Sequence, residues 1–380
     1  MIDTKQAEID TDDRPGGYRY LDILQEHLGG SLAPVFNGET INPRQLEVHL
    51  PSNGATPCNF SCRHCQGGLL DQSLGNWESD ALTLLDDLAG AIPFIIYGGA
   101  YTEPLLNPYF LDFLRATKAN GSSFGIHTNG SLLLKREQKE GFLSTLCSIS
   151  TSTDDYLSIS LDAGTPTSHC ATKGLARDWF SEIMRGIKMA VDVRGAEDYP
   201  SIRVCYLLNR HNDSVEELDM IVKAVQGLGI DSLRFSIPYD RYGKDFERVR
   251  RYRDRVEVPA HDILSERLTP FLSRNADAKP FIFYLPPVHQ DVCRMNFAQC
   301  IYSYYQITLA ADGFVYKCSS VASSSFKPLR LGRITADREK FDRMVLSNHN
   351  PRFAPSKCFA IGARCNRIAL EINTAWNEEH

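Results

Sequence analysis

Short runs of apolar and β-branched residues alternate with amphipathic stretches along the chain from residue 45 onward. The runs at 46–50, 93–97, 123–127, 157–161, 202–208 and 233–237 predict strands. Between them, apolar positions at helical spacing predict helices over 80–88, 108–119, 135–146, 177–193 and 214–228. The last opens on Ser214-Val215-Glu216-Glu217, a capping-box pattern that satisfies amides orphaned in a first helical turn. Helices of this length between strands imply parallel βαβ crossovers. The expected α/β fold is a curved parallel sheet or partial (βα)6 barrel rather than a flat doubly wound sheet. In either case functional groups gather at the C-terminal ends of the strands.

The flanks read differently. Residues 1–43 are polar and punctuated by Gly and Pro, with one helix-like stretch near 20–28, and form an N-terminal arm ahead of a barrel over 44–240. Residues 241–289 open on the charged run RYGKDFERVRRYRDRVEV and read as a helical connector. Acidic residues are interleaved with its arginines, which marks a solvated, salt-bridged helix face rather than an RNA-binding patch. Residues 290–380 form a small C-terminal domain.

Composition adds limits. The 380 residues suffice for one large core plus an appended domain. The chain is 43% hydrophobic and 23% charged, as in an ordinary globular protein, and its net charge of -6 argues against binding nucleic acid or anionic membrane. No apolar stretch approaches the roughly 20 residues of a membrane-spanning helix, and the polar N-terminus holds no signal segment. The expected location is the cytoplasm. In that reducing compartment eleven cysteines point to metal or catalytic use rather than to disulfides.

Three of them, Cys58, Cys62 and Cys65, stand in the run Cys58-Asn59-Phe60-Ser61-Cys62-Arg63-His64-Cys65, on the loop after the first strand. A cubane [4Fe–4S] cluster takes four ligands, so three thiolates leave one iron open to a small molecule. The alternative is zinc, which is normally closed by four ligands; His64 neighbours Cys65 and is badly placed to be the fourth.

This Cys-x3-Cys-x2-Cys run resembles the signature of the radical S-adenosylmethionine (SAM) enzymes, and the resemblance extends over roughly residues 45–240. Tyr97-Gly98-Gly99-Ala100-Tyr101-Thr102-Glu103-Pro104 is similar to the Gly-Gly-Glu-Pro segment with which that family holds the SAM amino group. Here three residues separate the glycines from Glu103, so either could make that contact. The resemblance implies that Thr128, Asn129, Ser158 and Ser160 face the SAM ribose and carboxylate. His64 stands where the family often has an aromatic residue beside the adenine. Cleavage of SAM by an electron from the reduced cluster, drawn from a flavodoxin- or ferredoxin-type donor, would release a 5′-deoxyadenosyl radical. Such a radical demands that one substrate C–H be held close and water kept out.

Read from the residues, Gly98 and Gly99 let backbone approach a ligand, or simply make a turn. Asp162 ends the fourth strand, either facing substrate or capping the turn before Gly164. Cys205 on the fifth strand is a core residue or a hydrogen donor to a substrate radical. His127 reads as a structural histidine, and Arg234 as a partner for a carboxylate or phosphate.

A second group, Cys293, Cys300, Cys318, Cys358 and Cys365, follows residue 292. Ala311-Asp312-Gly313-Phe314-Val315 predicts a β-hairpin with a tight Asp-Gly turn, able to present two thiolates. Cys300-x12-Gly313-x4-Cys318 resembles the opening of the SPASM and Twitch domains, which implies one auxiliary [4Fe–4S] cluster on Cys300, Cys318, Cys358 and Cys365, with Cys293 as a substitute ligand. Sulfur ligands alone also suit zinc.

The expected activity is a radical step, such as dehydrogenation, on a small hydroxylated metabolite: a sugar, aminoglycoside or nucleoside intermediate. The alternatives are a peptide maturase and a non-catalytic iron–sulfur or zinc protein. Maturases commonly carry a peptide-recognition domain of roughly 80–90 residues ahead of the barrel; the 57 residues before Cys58 fit one poorly.

Overall fold

All six predicted runs pair in one sheet. The computed structural model describes residues 20–54, 56–65, 73–99, 101–236, 240–241, 261–285, 302–346 and 360–361. Strands β1 (Gln45–Val48), β2 (Phe94–Tyr97), β3 (Ser123–Thr128), β4 (Tyr156–Ser160), β5 (Ser201–Leu207) and β6 (Ser232–Ser236) lie side by side, each parallel to the next. The short β7 (Asp240–Arg241) stands outside them. β8 (Phe281–Leu285) continues the sheet parallel to β6, and β9 (Gln306–Leu309) adds parallel to β1 on the other side. β10 (Phe314–Tyr316) and β11 (Arg330–Arg333) follow antiparallel, giving a ten-stranded order of β11-β10-β9-β1-β2-β3-β4-β5-β6-β8. β7 pairs separately with β12 (Ala360–Ile361).

Strand periodicity decides what the sheet encloses. Side chains alternate between its faces, and one set is apolar throughout: Leu46, Val48, Ile95, Tyr97, Phe124, Ile126, Leu157, Ile159, Ile202, Val204, Leu233 and Phe235 all lie in the main core. Burying each such side chain contributes about 1.5–3 kcal/mol relative to exposure. The alternate set is mixed and mostly polar: Gln45, Glu47, Gly125, His127, Ser158, Ser160, Arg203, Cys205 and Arg234, with Gln306 and Thr308 on β9, beside Leu207 and a small apolar cluster of Phe94, Ile96 and Tyr156. A doubly wound sheet would be apolar on both faces. Among the described residues the helices pack on the apolar face, and the mostly polar face lines the inside of a partial barrel that ends in a C-terminal hairpin.

The first elements among the described residues are α1 (Tyr20–His27) and α2 (Ala33–Phe36), part of the stretch read as an arm. Leu24, Leu32 and Val35 pack there against Tyr302, Tyr304 and Tyr305 of α11 (Tyr302–Tyr305) and its end, in a core of their own. The outer helices are α3 (Glu78–Leu88), α4 (Phe110–Ala119), α5 (Leu133–Glu140), α6 (Phe142–Ile149), α7 (Pro166–Lys173), α8 (Phe180–Arg194), α9 (Val215–Val225), α10 (His261–Arg274) and α12 (Arg338–Leu346).

Four features depart from the pattern reading. The helix predicted over 135–146 is two, α5 and α6, broken at Gly141. Helix α7 was not predicted; Thr165 and Ser168 close a reciprocal capping box at its start and Pro166 sits in its first turn. The stretch read as a helical connector contains β8, a strand of the barrel sheet. Finally, the box expected at α9 is half made. Ser214 accepts the Glu217 N–H at 3.2 Å, but the Glu217 carboxylate accepts from the Gly164 N–H at 2.6 Å and from the Ser168 hydroxyl.

Candidate functional site

The cysteine loop leaves the C-terminal end of β1 and is pinned before it reaches its thiols. Glu103 donates its N–H to the Pro57 carbonyl at 3.0 Å, and Cys65 donates to the Cys62 carbonyl at 3.0 Å, closing a turn. Phe60 is driven into the core, its ring 5.7 Å from that of Trp179 and 6.4 Å from that of His169. Cys58, Cys62 and Cys65 are half-buried and free of disulfides. The Phe60 N–H points at Cys58 Sγ from 3.4 Å and Asn129 Nδ2 from 3.8 Å, the kind of donors that steady a thiolate. Burial, then the charge of Glu103, pushes the Cys58 thiol up to about 12. Burial also pushes Cys62 up to about 11, against the pull of Lys173. Bare, these thiols resist ionising; a group that takes them as thiolates must bring positive charge. Among the described residues no three His, Cys, Asp or Glu side chains converge tightly enough for a single metal ion. A cubane asks for wider-set thiols.

The ends of β2 and β3 face this loop. Gly99 has φ +151, and a Cβ there would lie 2.5 Å from Thr102 Oγ1 and 2.8 Å from His49, so only glycine fits. A Cβ on Gly98 would stand 3.0 Å from that of His127. Glu103 is buried, and its carboxylate accepts the Thr128 hydroxyl at 2.6 Å and the N–H groups of Asn129 at 2.8 Å and Leu105 at 3.2 Å. Burial raises its pKa in spite of these bonds. Asn129 donates on to Asn59 at 3.0 Å, tying β3 to the cysteine loop.

At the ends of β4 and β5, Ser158 Oγ lies 3.0 Å from Cys205 Sγ on the inner face. Asp162 is fully buried at φ +56. Its carboxylate accepts the Leu207 N–H at 2.7 Å, the Ser160 hydroxyl at 2.8 Å and the Lys173 ammonium at 2.5 Å. His64 Nε2 stands 3.7 Å away. Burial opposes the charge of both partners, yet their mutual attraction holds Asp162 below the usual carboxylate range and Lys173 above the usual lysine value. His64, buried beside Lys173, falls to about 4 and is neutral.

Deeper in the barrel, Glu47 accepts from His49 Nε2 at 2.7 Å and from Gln306 Nε2 at 2.6 Å. His127 shares a 2.8 Å hydrogen bond with the Tyr156 hydroxyl, and the Arg203 guanidinium stacks 4.1 Å from the Tyr156 ring. Sequence reasoning missed Glu47, His49 and Lys173. The alternation Gln45-Leu46-Glu47-Val48-His49-Leu50 is itself a signal, because polar groups at every second position of a barrel strand face the inside. Lys173 gave none; a lysine before glycine at a helix end reads as a terminal cation.

No family model matches the chain. In sequence it is similar to a tungsten-containing aldehyde ferredoxin oxidoreductase cofactor-modifying protein of Pyrococcus furiosus, 29% identical over 184 residues. That match covers 47% of this chain and 48% of the relative, so the chain matches about half of the curated relative's length. In structure it is similar to SuiB of Streptococcus suis, with a TM-score of 0.58 and 14% identity over 89% of this chain and 73% of SuiB. Against SuiB bound to S-adenosylmethionine the TM-score is 0.54 at 15% identity, over 80% and 66% of the two chains.

The fold is the partial α/β barrel that SuiB has.

On that fold the expected SAM-side residues Gly98, Gly99, Glu103, Thr128 and Asn129 gather at the strand ends around the cysteine loop, while Ser158 and Ser160 lie on the inner face of β4. The predicted Asp-Gly hairpin is present: β9 and β10 pair antiparallel and Gly313 donates its N–H to the Ala310 carbonyl at 2.9 Å. Cys318 follows β10, half-buried beside the tyrosine core of the arm. Cys293, Cys300, Cys358 and Cys365 lie outside the described residues. No helix among the described residues is long and apolar enough to cross a membrane.

Proposed function

We propose that this protein is a radical SAM enzyme acting on a small polar, hydroxylated molecule, with a dehydrogenation or related hydrogen abstraction as its reaction. The observation that carries the reading is three half-buried thiols on a pinned loop, above a barrel interior lined by hydrogen-bonding side chains. Cys58, Cys62 and Cys65 would hold the [4Fe–4S] cluster and leave its fourth iron to SAM. When bound and reduced, that pair supplies a 5′-deoxyadenosyl radical. The chain's own residues do the rest. Gly98 and Gly99 keep side chains away from the ligand, Thr128 and Asn129 are held in place by Glu103, and Ser158, Ser160 and Lys173 offer polar groups from the other side. The inner wall from Glu47 to Arg203 would orient hydroxyl or amino groups of the substrate, and Cys205, beside Ser158 on that wall, would return a hydrogen atom where the outcome is epimerisation. An auxiliary cluster on Cys300, Cys318, Cys358 and Cys365 would take the electron in an oxidation, and a flavodoxin- or ferredoxin-type protein would supply the first.

The cofactor-modifying relative favours a small-molecule substrate. A peptide substrate is the second reading, because SuiB, which has this fold, has been solved bound to its precursor peptide SuiA. The test is anaerobic reconstitution followed by iron analysis and a search for 5′-deoxyadenosine with a reductant. The proposal expects deoxyadenosine and about eight irons from two cubane clusters. Absence of deoxyadenosine with every candidate metabolite and peptide would sink the enzyme reading, and about four irons would remove the auxiliary cluster.

A further inference from the structure

The segment after β4 is built against the cysteine loop rather than toward the barrel interior. Three contacts along it show this. His169 of α7 meets the ring of Phe60 edge-on at 6.4 Å, Asp162 faces His64 at 3.7 Å, and a Cβ on Gly174 would stand 3.1 Å from Arg63 Cγ. Where these contacts converge lies a buried ion pair, with Lys173 1% and Asp162 0% exposed. Ser160 braces it from the side, donating to Asp162 at 2.8 Å and accepting from Lys173 at 3.1 Å.

Such a pair is costly to bury, and swapping it for apolar residues is often neutral or stabilising. Fold stability is therefore a weak reason for its presence here. The Leu207 N–H spends itself on Asp162, and Asp162 adopts the left-handed backbone that non-glycine residues avoid, so the carboxylate is aimed at Lys173 at some expense. The contacts of Asp162 with His64 and of Gly174 with Arg63 set the Lys173 end of α7 against the two residues between Cys62 and Cys65, and the charges of Cys62 and Cys58 act on the lysine from there. A cluster held by thiolates is anionic, and a fixed cation beside it favours its reduced, more negative form.

We propose that Lys173 is the resident counter-charge of the site on the cysteine loop and that Asp162 is a positioning residue that aims it, not a group that touches substrate. The inference rests on the proposed function, because it needs a cluster on Cys58, Cys62 and Cys65. It makes ease of reduction a property of α7 as well as of the loop.

The test is an EPR-monitored redox titration of reconstituted protein without substrate, with iron counted per chain and the fold checked by circular dichroism. Lys173→Met should shift the midpoint of the cluster on this loop to lower potential at unchanged iron content, and Lys173→Arg should restore most of the shift. Asp162→Asn should move the midpoint by a different amount in the wild-type chain than in the Lys173→Met background, since the acid acts through the lysine; equal upward shifts in both backgrounds would mean that it acts by its own charge alone. Loss of the cluster in Lys173→Met but not in Lys173→Arg would also support the role. Unchanged midpoints in Lys173→Met and Asp162→Asn, or loss of fold in both Lys173 variants, would overturn it. Wild-type protein with no cluster on the loop would instead refute the proposed function, so the two failures are distinct.

Discussion

The Thr128 hydroxyl donates to the Glu103 carboxylate at 2.6 Å, so the acid that ends the Gly98–Glu103 segment is turned onto the end of β3. Its second oxygen takes the Asn129 N–H at 2.8 Å. Glu103 thus acts as the clasp between two strand ends, and Asn129 passes the connection on to the cysteine loop through Asn59.

Removing that clasp leaves buried donors without an acceptor. Glu103→Ala should destabilise the fold by about 3 kcal/mol, since each unsatisfied buried group costs about 1–3 kcal/mol. Urea unfolding measures it. A loss under about 1 kcal/mol would mean that water replaces the carboxylate.

Gly99 tests the close approach at the end of β2. Gly99→Ala would force a methyl group against Thr102 and His49 in a backbone conformation that L-residues rarely adopt. Expected are a cost of about 1–3 kcal/mol and weaker SAM binding, read by thermal shift with and without the ligand. Unaltered behaviour in both would show that the strand end relaxes freely.

His169 supplies a pH dependence. Both of its ring nitrogens are buried without a partner, and burial, reinforced by Lys173, lowers its pKa to about 4. An unfolded imidazole protonates near pH 6.5 (roughly), so between those values the unfolded state binds more protons and acid favours it. Stability should fall as the pH drops from about 6.5 toward 4 and level off below. His169→Phe places a ring between Phe60 and Phe180 with no polar atoms to satisfy. It should raise stability at pH 7 by about 1 kcal/mol and make the acid arm shallower, His64, also lowered to about 4, keeping its own share. Urea midpoints at several pH values decide, and an equally steep arm in the variant would assign the dependence to other groups.

The two groups of cysteines should separate by function. Cys62→Ala should abolish formation of 5′-deoxyadenosine, whereas Cys318→Ala should spare it and impair product formation. Full turnover by the Cys318 variant would remove the auxiliary cluster from the electron path.

Much of this was written locally. The order of strands β1 to β6, the helices between them and the Asp-Gly hairpin follow from side-chain periodicity and turn chemistry, which act within a few residues and leave their pattern in the chain. The thiol triplet is local too, because its spacing alone brings the cysteines onto one loop. Missed were β8, an apolar run at 281–285 in a segment read from its charged opening at 241–258, and α7, whose apolar face is weak and whose capping box uses Ser168 where Glu or Gln is usual.

The sequence by itself determined the alternation of the barrel, the candidate cluster loop and which candidate residues stand at strand ends, since each of these is set by neighbours in the chain. Tertiary structure alone decided that β9 pairs with β1, that one sheet face stays polar as an interior, and that Lys173 of α7 meets Asp162 beside Cys62. Those pairings join segments far apart in sequence, or on different elements, and their free energy comes from burial and charge in the assembled core, which no short window of residues contains.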